Sequence, residues 1–154
     1  MKIIPLPFET QARLGFNTKI ILTAADLATW TSGTAQAVLP GNGLGLSSST
    51  IPAGTRMSGN ALVRVTTAFT SSGGAITSLG LSLGDGNSAT RFINAADLKT
   101  TGYKVGTETG LLYLVADTID ATATIVGQTM ASLNAGQVEI LCNLVPVSDL
   151  EAVV

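Results

Sequence analysis

The tightest constraint on this chain is a period-two alternation of apolar and polar residues, in stretches too short for anything but strands. Ala61 to Phe69 (ALVRVTTAF) sets Val63, Val65, Thr67 and Phe69 on one face and Leu62, Arg64, Thr66 and Ala68 on the other. Successive side chains of an extended strand point to opposite faces, so this pattern, rich in β-branched residues, reads as a half-buried strand. After a turn cluster of Ser71, Ser72, Gly73 and Gly74, the residues Leu79, Leu81 and Leu83 alternate with Gly80, Ser82 and Gly84, which completes a hairpin. Ile119 to Val126 alternates Ile119, Ala121, Ala123 and Ile125 against Asp120, Thr122, Thr124 and Val126. Gln137 to Val145 points Val138, Ile140, Cys142 and Leu144 one way, which makes Cys142 a small core hydrophobe.

Lys19 to Leu22, Gln36 to Leu39 and Thr55 to Met57 are shorter strand candidates, and Leu111 to Ala116 (LLYLVA) is a nearly continuous apolar run. Short strands spaced by Gly, Ser and Pro turns, with no long amphipathic helix, lead to an all-β expectation: a β-sandwich or jelly-roll-like barrel. Two related segments interrupt the pattern, TAADLAT at Thr23 to Thr29 and NAADLKT at Asn94 to Thr100. Each opens on a capping residue with Asp three positions later, so both are expected to start short helical turns. The chain divides into an extended N-terminal arm, 1–18, and one β-sandwich domain, 19–154. The arm begins MKIIPLPF, and its prolines oppose regular pairing; two fates are open to it, burial of Ile3, Ile4, Leu6 and Phe8 on a neighbouring molecule or packing on its own domain.

Charge and residue usage remove several function classes. Eight Lys and Arg oppose ten Asp and Glu, and the basic residues are scattered singly, so no stripe exists to track a phosphate backbone and nucleic acid is not an expected partner. Charged residues make up 12% of the chain, about half the usual share, and a surface so poor in charge suits one partly covered by neighbours. Leu111 to Ala116 is far below the roughly 20 residues of a membrane helix, and MKIIPLPFETQ is broken by prolines and Glu9 before it forms a signal-peptide core. The expectation is a soluble protein with no membrane partner.

Histidine is absent, which excludes His-based triads and most zinc sites, and the single Cys142 excludes an internal disulfide. Asp117 and Asp120 are the nearest carboxylate pair, but they read as a turn residue and the polar face of a strand. LSLGDGNSATRF, Leu81 to Phe92, has the outline of a dinucleotide turn in Gly84, Gly86 and Ala89. A dinucleotide fold requires a parallel strand buried on both faces, and Leu79 to Leu83 alternates instead. An EF-hand calcium loop starting at Asp85 fails at its later positions, where Ala89 and Ala96 stand, which leaves open only an irregular calcium site at Asp85. Asp85 and Gly86 are expected to close a strand, with Arg91 and Phe92 presented to a neighbour from a helical turn starting at Ser88 or Asn94. No catalytic residue, cofactor or metal is assigned.

VRVTTAF (Val63 to Phe69), SLGLSLGDGNSATRFINAADL (Ser78 to Leu98), LLYLVADTIDATATIVG (Leu111 to Gly127) and LNAGQVEILCNLV (Leu133 to Val145) together resemble small virion structural proteins of tailed bacteriophages. The resemblance implies a non-enzymatic capsid decoration, or cement, protein on the outer surface of the head. It implies a homo-oligomer, a trimer by preference, whose partner is the major capsid protein, made in the bacterial cytoplasm and resident in the virion. Two alternatives stay open: a tail, baseplate or fibre component that contacts a host surface, through loops such as Pro40 to Gly54, and a free carbohydrate-binding module.

Overall fold

The computed structural model describes residues 1–7, 9, 15–39, 50–107 and 110–146. Its strands are β1 (Lys2–Pro5), β2 (Thr18–Thr23), β3 (Ala35–Leu39), β4 (Thr55–Met57), β5 (Leu62–Ser71), β6 (Ser78–Asp85), β7 (Ser88–Asp97), β8 (Gly102–Val105), β9 (Leu112–Tyr113), β10 (Ile119–Val126), β11 (Leu133–Cys142) and β12 (Leu144–Pro146). They form a five-stranded sheet in the order β1-β2-β11-β5-β8, a four-stranded sheet β3-β10-β6-β7 and a small sheet β12-β4-β9. Every strand pairing is antiparallel.

With β1 and the small sheet set aside, the two larger sheets take the remaining strands, in chain order, as first-eighth-third-sixth and second-seventh-fourth-fifth. That interleaving is the jelly roll, in which neighbours in sequence cross from one sheet to the other. The alternations decide which side chains lie between the sheets. Ile20 and Leu22, Val63 and Val65, and Val138 and Ile140 enter from one sheet; Leu79, Leu81 and Leu83, and Ile119, Ala121 and Ala123, enter from the other, in one continuous core. Cys142 is buried there, as its place in the pattern predicts. Thr67 breaks its pattern and faces solvent, beside a stretch where the β5-β11 register shifts. Gly136 in that stretch has φ +135°, and a Cβ there would stand 2.3 Å from the Phe69 ring, so the missing side chain is what lets Phe69 reach the core.

The two look-alike segments take different structures. Thr23 caps a helix α1 (Ala24–Leu27), its backbone amide donating to Asp26 Oδ2 at 2.8 Å while the Asp26 amide donates back to Thr23 Oγ1 at 3.4 Å. Asn94 to Asp97 instead continues β7, where Ala96 and Asp97 pair with Leu81 and Gly80, so the expected second helical turn is a strand. Pairing with β6 supplies tertiary hydrogen bonds that a single helical turn cannot match, and Ala95, at φ +48°, absorbs the local irregularity.

That strand also corrects the placement of Phe92. It is 1% exposed and among the largest fully buried side chains, and the adjacent Ile93 is buried as well, so β7 packs Phe92 into the core and does not present it to a neighbour. The N-terminal segment is extended and lies on its own domain: Lys2–Pro5 pairs with β2, Ile3 opposite Ile20 and Ile4 opposite Lys19. Ile3 packs on the core, Ile4 and Leu6 are half-buried, and the Leu6 amide donates to Asn17 O at 2.8 Å. The resulting edge ends at Pro5, which has no amide to offer the ladder. Phe8 and residues 40–49 of the long loop lie outside the described residues.

Candidate assembly surface

Three apolar side chains of one short segment stand in solvent at one end of the jelly roll. Leu112 is 42%, Leu114 80% and Val115 67% exposed, while Tyr113 between them is buried. The small sheet sets this alternation: Tyr113 pairs with Thr55 and Leu112 with Arg56, which turns Tyr113 inward and Leu112 outward. Beyond β9 the chain stays close to residues 51–54. The Gly54 amide donates to Tyr113 O at 2.7 Å, and Ile51 and Asp117 exchange backbone hydrogen bonds of 2.7 and 3.0 Å. Leu114, Val115 and Ala116 therefore bow outward between fixed ends, as a ridge.

Asp117 also fastens the ridge to the turn between β6 and β7. Its Oδ1 accepts from the Gly86 amide at 3.2 Å and from the Thr118 amide at 2.8 Å, and its Oδ2 accepts from Asn87 Nδ2 at 3.3 Å. Inside the same turn Asp85 is buried, its Oδ1 accepting from the amides of Asn87 at 3.0 Å and Ser88 at 2.9 Å. Asp85 Oδ2 forms an ion pair with Arg91 Nε at 2.7 Å, a charge contact whose N–H is not aligned as a hydrogen bond. The glycines of the dinucleotide-like outline thus have a packing role. A Cβ on Gly84 would stand 1.9 Å from Ser88 O, and one on Gly86 would stand 2.9 Å from Asp117 Oδ1.

A cleft of about 180 Å³ lies here, lined by Asp85, Asn87, Arg91, the 111–115 segment and Asp117. The Tyr113 hydroxyl is buried beside it with no hydrogen-bond partner. Burial, then the Asp85 and Asp117 carboxylates, push this phenol well above its ordinary pKa, and Arg91 only partly opposes them. Asp120 takes no part in the cleft's lining, its Oδ1 accepting from Thr118 Oγ1 at 2.8 Å. Among the described residues, no three His, Cys, Asp or Glu side chains come together as a metal site requires.

A second exposed feature is β8, at the edge of the five-stranded sheet, where Tyr103 is 77% exposed above an open cavity of about 390 Å³. Lys104 of this strand reaches across to the Asn94 and Ala95 carbonyls of β7.

Of the residues expected to meet a neighbour, Arg91 alone among the described residues lies at the ridge, inside the cleft wall with Asp85 and Asp117; Ile3, Ile4 and Leu6 lie on β1 and the segment after it, and Phe92 in the core. Leu141 and Leu62, apolar residues on the strand faces opposite Ile140 and Val63, are covered within the chain itself, Leu141 buried and Leu62 half-buried. Leu112, Leu114 and Val115 were missed because LLYLVA reads as an interior strand. No local signal marks them: six residues separate Gly110 from Asp117, of which Leu112 and Tyr113 pair with β4. No protein-family model, curated protein or solved structure matches the chain significantly.

Proposed function

We propose that this chain is a non-enzymatic virion structural protein, a decoration or cement protein that binds the outer surface of a tailed-phage head and stabilises the shell by bridging subunits of the major capsid protein, as a homo-oligomer with a trimer preferred. The observation that carries the reading is the Leu112, Leu114 and Val115 ridge, apolar, exposed and tied at both ends. Apolar residues that a rigid scaffold holds in solvent are suited to burial against another protein, since they gain transfer free energy while little chain entropy remains to be lost. The jelly roll supports the same reading, because it recurs in viral capsid domains, although lectins and cupins share it.

A carbohydrate-binding module is the weaker reading. Sugar platforms need several exposed aromatics, and among the described residues Tyr103 alone is a largely exposed aromatic, with Trp30 half-buried.

The test is co-sedimentation of purified protein with shells that lack it. Wild type is expected to bind and raise the temperature at which shells release their contents, and a Leu114→Asp, Val115→Asp variant to lose at least about tenfold in affinity with its fold intact. Binding unchanged in the variant, or shells equally heat-resistant with and without the protein, overturns the proposal. Imaging that finds the protein on the tail alone transfers the same surface to a tail role.

A further inference from the structure

β8 is an open edge of the five-stranded sheet: it pairs with β5 on one side only, and all four of its residues are exposed. The register shows which of its backbone groups stay unpaired. The Gly106 amide donates to Ala61 O at 2.8 Å and Leu62 stands opposite Val105, so Ala61 and Gly106 continue the ladder as a bonded pair. Antiparallel strands exchange hydrogen bonds at every second pair, so the backbones of Lys104 and Gly102 are bonded to Val63 and Val65. Tyr103 and Val105 therefore turn their N–H and C=O groups away from β5, and nothing among the described residues takes them up. Two donors and two acceptors, one strand period apart, are the complement of an incoming strand. β1, at the opposite edge, ends instead on a proline.

The two sides of this edge differ in chemistry. On the inner side a cavity of about 390 Å³ opens between β8 and β7, lined by Val63, Val65, Ala95 and Ala96 together with Asp97 and Lys104. Asp97 already accepts from the Lys99 amide and the Thr100 hydroxyl, and Lys104 reaches the β7 carbonyls, so the part left to fill is apolar. On the outer side Tyr103 stands beside Arg64, and Arg64 beside Glu139. Glu139 is shared by Lys19 Nζ at 3.2 Å and Arg64 Nη1 at 4.0 Å, and Lys2 lies on the same face opposite Ile21. Lys2, Lys19 and Arg64 against one carboxylate make this face positive in a chain whose net charge is -2.

We propose that the β8 edge binds an extended segment of a partner polypeptide in which apolar residues alternate with acidic ones. The segment adds a sixth strand to the sheet, hydrogen-bonded to Tyr103 and Val105, with its apolar side chains in the cavity and its acidic ones on the outer face toward Arg64. A glutamate opposite Tyr103 lies two strand spacings, about 10 Å, from Arg64, a gap that the two long side chains close. A second copy of the chain fits this edge less well. The antiparallel pairing that uses all four free groups sets Tyr103 against Val105 of the copy, which places Lys104 directly opposite Lys104 and brings two positive faces together. The site shares no residue with the Leu112, Leu114 and Val115 ridge, and the proposal does not rest on the shell-binding reading.

Hydrogen exchange of the full chain tests it, with an eight-residue peptide of alternating Val and Glu as the probe and one of alternating Val and Lys as its counterpart. The Val-Glu peptide is expected to slow the Tyr103 and Val105 amides at least about tenfold, with the Gly102 and Lys104 amides, already bonded to β5, little changed. The Val-Lys peptide is expected to bind at least about tenfold more weakly. Unchanged exchange at Tyr103 and Val105, or equal protection by the two peptides, overturns the proposal. Exchange that slows without peptide as protein concentration rises marks copies pairing edge to edge and also overturns it. Val105→Pro removes one outward amide and leaves the bonds to β5 in place, so this variant is expected to melt as wild type does and to bind the Val-Glu peptide at least about tenfold more weakly. Unaltered binding by the variant rejects strand addition.

Discussion

Asp85 Oδ2 lies 2.7 Å from Arg91 Nε across the first residues of the β6-β7 hairpin, with the Asp85 side chain 1% exposed and Arg91 partly open to solvent. The contact turns a two-residue connection into a rigid corner, because the same carboxylate also accepts from the Asn87 and Ser88 amides. Asp85→Ala is expected to cost about 3 kcal/mol, since it strands a cation and two amides together. Arg91→Ala is expected to cost less, because the amides still solvate the Asp85 charge. Urea unfolding of the two variants measures the order, and an Arg91→Ala loss exceeding that of Asp85→Ala contradicts it.

Phe92 and Leu114 separate core from surface. Phe92→Ala is expected to lose about 3–5 kcal/mol by leaving a cavity in the core, whereas Leu114→Ser stays within about 0.5 kcal/mol of wild type. Chemical denaturation midpoints decide it. Equal losses would place Leu114 in a packed environment that its 80% exposure denies.

Gly84 carries a prediction that the dinucleotide reading would not make. Its Cβ would collide with backbone atoms, Ser88 O at 1.9 Å and the Ala89 carbonyl carbon at 2.4 Å, and backbone cannot rotate away as a flexible side chain can. Gly84→Ala is expected to destabilise by about 3 kcal/mol or to abolish folding. A far-UV spectrum and melting curve close to wild type would mean that the hairpin shifts freely.

Alkaline pH acts on two buried neutral groups. Burial pushes the Cys142 thiol up to about 12 from an ordinary 9.0, and the Tyr113 phenol is raised by burial and by Asp85 and Asp117. A pKa higher in the folded than in the unfolded state means that unfolding releases protons at high pH. The stabilisation is complete below the ordinary value and is lost as pH climbs toward the folded one. Stability is therefore expected to fall between about pH 9 and 12. Tyr113→Phe removes one of the two groups, together with a buried hydroxyl that has no partner, so it should flatten that decline and leave neutral-pH stability unchanged or higher by about 1 kcal/mol. Urea titrations at pH 7 and 10.5 check both halves.

The long strands were legible because each obeys the two-residue period against one core: Ile119, Ala121 and Ala123 face it as their spacing predicts, as do Val138, Ile140 and Cys142. The capped turn at Thr23 was legible for the same local reason. NAADLKT carries the same signature and became strand, because its outcome depends on β6, a partner that spacing within the segment cannot reveal. The ridge was hidden similarly. Whether Leu114 is inside or outside depends on Asp117 reaching a turn 31 residues away, which no period encodes.

The place of β11 has a consequence for how the molecule is made. It sits between β2 and β5, pairing with both, yet it is the last long strand among the described residues. A nascent chain therefore holds β2 and β5 apart, each missing its shared neighbour, until residues 133–142 have left the ribosome. Closure of that sheet waits on those residues, and chains that stop short of them display two unpaired edges rich in Ile, Leu and Val.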